Sequence, residues 1–132
     1  MKSSVILFVV ALAAASGVRA GAHHSQAAVY AINKDTKIEG EIAQILIRSP
    51  HSFVHVNAKN EKGEMVRWAL EWGGAAQLSR QGVDGKTLKV GDRIIVGGHP
   101  GRNPIDNRMI VVYMERPSDG WNWGRRAGEV VD

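Results

Sequence analysis

The chain contains no cysteine. That excludes thiol nucleophiles, disulfide frameworks, cysteine-based zinc sites, iron–sulfur clusters and haem attached through a Cys-His motif. Aromatic residues are scarce, at 6%, and none is interleaved with a Lys/Arg cluster as a nucleic-acid-binding stripe requires. No apolar run reaches the ~18–20 residues needed to span a bilayer; the longest is Val5–Ala15, VILFVVALAAA. G-x-S-x-G, H-E-x-x-H and P-loop patterns are all missing, so familiar hydrolase, zinc-protease and nucleotide sites have no sequence support. What remains is globular in composition, with 44% hydrophobic and 23% charged residues in 132. That is one domain.

The first segment reads as an address. Met1–Ser4 carries a positive charge, Val5–Ala15 is apolar, and small residues follow through Ser16–Ala22. This is the secretory signal pattern, and residues 1–22 are assigned to it. Cleavage after Ala22 or after Ala20 fits; the first places small residues at both key positions and begins the mature chain at His23. The expected location is periplasmic or secreted, with no membrane anchor after processing. Removing Lys2 and Arg19 leaves 15 basic against 13 acidic residues, so the formal charge falls from +4 to +2. A mildly basic exported domain is not expected to bind nucleic acid.

Residues 23–117 read as a small β-barrel. From Thr36, Ile38, Gly40, Ile42, Gln44 and Leu46 alternate with polar neighbours, which predicts a long first strand bent or bulged at Gly40. Strands follow over 53–58 and 65–72, joined by the glycine-containing loop Asn60–Glu64. Gly73-Gly74 precedes a short helix over 75–81, stopped by Gly82. Leu88–Asp92 turns into a fourth strand, 93–97, and the loop 99–107 leads to a fifth, 109–114. Three strands, a short helix, then two strands is the order of an OB-fold, a five-stranded Greek-key barrel, with another small barrel as the alternative. Residues 118–132 read as a loosely ordered tail unless Trp121 and Trp123 dock.

Strand periodicity divides the faces. Val66, Trp68, Leu70 and Trp72 form the core side of strand three, and Val54 and Val56 match them on strand two. The outward side then collects His51, Phe53, His55, Arg67 and Glu71. In OB-folds this strand two–three face is the usual ligand surface, so Phe53, His55, Arg67 and Glu71 are the candidate ligand-binding residues. Glu71 is a candidate partner for Arg67, or an acid/base partner for His51 or His55.

Ala22-His23-His24-Ser25, Pro50-His51, Trp68-Ala69-Leu70-Glu71, Leu78–Gly82 and Leu88-Lys89-Val90-Gly91-Asp92 occur in that order. With these motifs the chain resembles a family of small exported bacterial proteins of unknown function. The resemblance covers about residues 22 to 114. It departs at Ser49, where Asn is usual before Pro-His, and at Gln26, where an aromatic is common. The resemblance implies export and one β-rich domain, and brings no activity with it.

Five histidines remain to be explained: His23, His24, His51, His55 and His99. Imidazole is the commonest protein metal ligand and suits copper, zinc and nickel. A chain beginning at His23 offers its α-amine and its own ring as a chelating pair. Cleavage after Ala20 instead yields an amine, peptide nitrogens and a histidine at position three. Both arrangements suit square-planar Cu(II) or Ni(II). His23, His24 and His51 are therefore the candidate metal ligands, with Cu(II) as the candidate cofactor and no catalytic residue assigned. Three functional classes follow. These are an exported module binding a small ligand, metal ion or envelope protein; a copper-dependent oxidative enzyme with an N-terminal histidine brace; and a structural envelope protein acting through its surface.

Overall fold

The computed structural model describes residues 26–125. Six strands carry the fold: β1 Thr36–Leu46, β2 Ser52–Lys59, β3 Met65–Trp72, β4 Arg93–Pro100, β5 Arg108–Arg116 and β6 Trp121–Gly124, with one short helix, α1 Ala75–Arg80, between β3 and β4. The sheet order is β3-β2-β1-β4-β5-β6. A parallel pairing of Ala69–Glu71 with Arg108–Ile110 joins β3 to β5 and closes the first five strands into a barrel. This is the OB-type barrel that the element order predicts.

Alternation fills the interior. Val54, Val56, Leu70, Ile42, Ile94 and Val96 are fully buried, as are Met109 and Met114. Each such side chain contributes about 1.5–3 kcal/mol by leaving water. Leu78 of α1 and Leu88 plug the same core. Gly82, at φ +79°, ends the helical segment in the left-handed conformation that glycine adopts without strain.

Two expectations need correction, and the condition set on the tail is met. The bulge in β1 falls at Ala43, between Ile42 and Gln44, not at Gly40. One extra residue reverses the parity beyond it. Gln44 is consequently exposed, while Ile45 and Ile47 pack against the core. Gly40 serves a close approach instead, because a Cβ there would lie 2.2 Å from the Asn57 carbonyl oxygen. On β3, Val66 and Trp68 are only half-buried, whereas Leu70 and Trp72 are buried. At the other end of the chain, Trp121–Gly124 pairs with Tyr113–Arg116 as a sixth strand. Both of its tryptophans pack on the core. Trp123 meets Trp72 edge to face, with ring centroids 5.1 Å apart, and its indole N–H donates to Gln81 Oε1 at 3.1 Å. The two rings dock, and residues 121–124 form a strand rather than a loose tail.

A candidate binding site at the end of the β2–β3 face

The β1–β2 turn is built to hold His51. The Ser49–Pro50 peptide is cis. The buried Ser52 hydroxyl donates to the Arg48 carbonyl and accepts from the Arg48 N–H, both at 3.2 Å. The Ala75 N–H donates to the same Arg48 carbonyl at 3.0 Å, which ties the turn to the start of α1. Gly74 lies so close that a Cβ would sit 2.6 Å from the Pro50 carbonyl oxygen. His51 thus leaves a clamped backbone and points to Glu71, with Nδ1 3.1 Å from Oε1.

The other oxygen of Glu71 is also taken. Oε2 accepts a short hydrogen bond from the hydroxyl of Tyr30. Tyr30 is buried, and it arrives from the N-terminal segment, where residues 26–29 form a helical turn. Three backbone contacts lash that segment to the end of β4. They are the Tyr30–Gly101 bridge, Ala31 N–H to Pro100 O at 2.9 Å and Arg102 N–H to Val29 O at 2.9 Å. Arg102 Nε adds a bond to the Ala27 carbonyl at 2.6 Å. The Arg108 guanidinium lies 5.4 Å from the centre of the Tyr30 ring, completing a mixed-charge cluster at one end of the face. Burial first, then the hydrogen bond and charge of Glu71, push the phenol well above its ordinary value, so the hydroxyl keeps its proton and acts as the donor.

The predicted ligand-face residues lie on the face assigned to them. Phe53 stands directly across from Glu71, with the Arg48 guanidinium 5.4 Å from its ring centre. His55 faces Ala69 and Arg67 faces Asn57. Arg67 does not pair with Glu71. Four residues along a strand span ~13 Å, and Glu71 is committed to His51 and Tyr30. Arg67 acts on His55 instead. Partial burial, and secondarily the positive charge of Arg67, hold the His55 imidazole below its ordinary value of 6.5. His99 lies in β4, apart from this cluster, where its Nδ1 is 2.9 Å from the Lys34 carbonyl oxygen and 3.3 Å from Asp35 Oδ1. His23 and His24 lie outside the described residues. Among the described residues, no three His, Asp or Glu side chains gather as a metal cage. Sequence reasoning missed Tyr30 and Arg108, because the lead-in has weak periodicity and neither residue lies in a motif.

A closed five-stranded β-barrel, with a His–Glu–Tyr cluster where β2 begins and β3 ends, defines the class. The chain belongs to the Family of unknown function (DUF6152), whose model matches residues 11–108. No curated protein matches it. Among solved structures it is similar to the mitochondrial single-stranded DNA-binding protein Rim1 of S. cerevisiae, at 10% identity and a TM-score of 0.46, over 62% of this chain and 91% of that one. Among the described residues, no helix is long and apolar enough to cross a membrane.

Proposed function

We propose that the chain is an exported binding module that takes a divalent metal ion, Cu(II) foremost, between His51 and the N-terminal histidines His23 and His24. The observation that supports this reading most is the Tyr30 latch. It fastens the segment following His24 to Glu71, the carboxylate that also holds His51. His24 stands two residues before Gln26 in the sequence. In this reading the further donors, His23 and His24, come in sequence just before the segment that Tyr30 joins to the same cluster. His51 is 45% exposed at its side chain and accessible to an ion.

Two donor types then converge. The mature α-amine with the His23 ring forms a chelate, and His51 or His24 completes a nitrogen set of the kind Cu(II) prefers. Phe53, His55 and Arg67 continue the face and offer an apolar ring, a neutral imidazole and a cation to the remainder of a ligand or to an envelope partner. Export supplies the free amine, through cleavage after Ala22. N-terminal sequencing of protein recovered from an expressing cell's periplasm tests that step. A chain starting at His23 is expected, and one retained at Met1 contradicts it. Replacing His51 by Ala is expected to lower Cu(II) affinity at least tenfold, while His99→Ala leaves it unchanged. Equal losses from both would remove the assignment.

A further inference from the structure

We infer that Glu71 is a positioning residue, which holds the neutral His51 ring in the tautomer protonated on Nδ1 and leaves Nε2 as the donor nitrogen. The inference names the ligating atom of the site proposed above and rests on that reading for the metal, but not for the tautomer.

Proton counting carries it. A neutral imidazole has one N–H and one lone pair, and a carboxylate can only accept. His51 Nδ1 lies at hydrogen-bond distance from Glu71 Oε1, so the proton belongs on Nδ1 and the lone pair on Nε2. Glu71 cannot easily turn away or become a metal ligand itself. Its Oε2 is held by the Tyr30 hydroxyl, and its side chain is only 14% exposed. The Tyr30 segment is in turn bonded to Pro100, Gly101 and Arg102. Each oxygen of the carboxylate thus has its own donor, one from the docked lead-in and one from the β1–β2 turn. Carboxylate–histidine–metal chains use this order, in which the outer carboxylate sets the ring's tautomer and angle.

The test is long-range proton–nitrogen correlation NMR on 15N-labelled mature protein, stripped of metal and held at about pH 8.5, above the ordinary imidazole range. The His51 signals are assigned by their loss in His51→Ala. The expected spectrum has Nδ1 protonated and Nε2 bare. Glu71→Ala, and Tyr30→Phe/Glu71→Ala to avoid an orphaned buried hydroxyl, are expected to abolish that preference. An Nε2–H form in the parent protein, or the same tautomer in parent and both variants, would overturn the inference. Zn(II) is then added alone. It should shift the Nε2 resonance, and Glu71→Ala should weaken binding by roughly 10–100-fold. A parent protein with the Nδ1–H tautomer that takes no Zn(II) or Cu(II) would refute the metal reading while sustaining this one.

Discussion

The Tyr30 hydroxyl donates to Glu71 across 41 positions of sequence. This bond joins the residues that follow the predicted cleavage site to the end of β3. Tyr30→Phe keeps the ring against Arg108 and removes only the donor. A hydrogen bond to a charged acceptor contributes about 1.5–3 kcal/mol, so urea unfolding should show a loss of that order. A change of a few tenths would mean that the latch holds little.

Trp123 offers a separate check, on the barrel's added strand. Its edge-to-face contact with Trp72 and its bond to Gln81 secure β6. Trp123→Ala should cost about 2 kcal/mol, above the ~0.5–1.5 kcal/mol of an aromatic pair alone because core contact is lost as well. The β6 amides, including Trp121 and Trp123, should then lose protection in hydrogen exchange. Unchanged protection in the variant would show that backbone pairing alone orders the strand.

His55 predicts a pH dependence. Its imidazole is held below the ordinary 6.5 in the folded chain, chiefly by burial and then by Arg67. The unfolded state thus binds more protons between the two values, and stability rises with pH through that window. As pH falls below about 6.5, folding should weaken until the folded-state value is passed. His55→Gln should flatten this part of the stability–pH curve. A parent and variant with parallel curves would remove His55 as the cause.

Much of the barrel is legible in the sequence. Alternation over 65–72 and 53–58 assigns the two faces, and Gly73-Gly74 and Gly82 bracket the helix. The bulge at Ala43 is not legible, since Ile45, Leu46 and Ile47 are all apolar and either parity fits them. Trp121–Gly124 is too short for its alternation to be told from a tail, and its strand exists through contacts with β5 and Trp72. At the site, periodicity places His51 and Glu71 on one face and leaves Glu71's partner open. The choice of His51 over Arg67 is a matter of strand rise and of the clamped turn at Pro50. Tyr30 escapes altogether, because a contact made across the whole β1–β3 meander leaves no local pattern.

The most direct measurement is calorimetric titration of Cu(II) into tag-free protein beginning at His23, beside the same chain carrying an N-terminal extension. The account predicts one site of submicromolar affinity in the first and at least a tenfold loss in the second, because the extension removes the free amine. Equal binding by the two forms, or no binding tighter than micromolar in either, would contradict it.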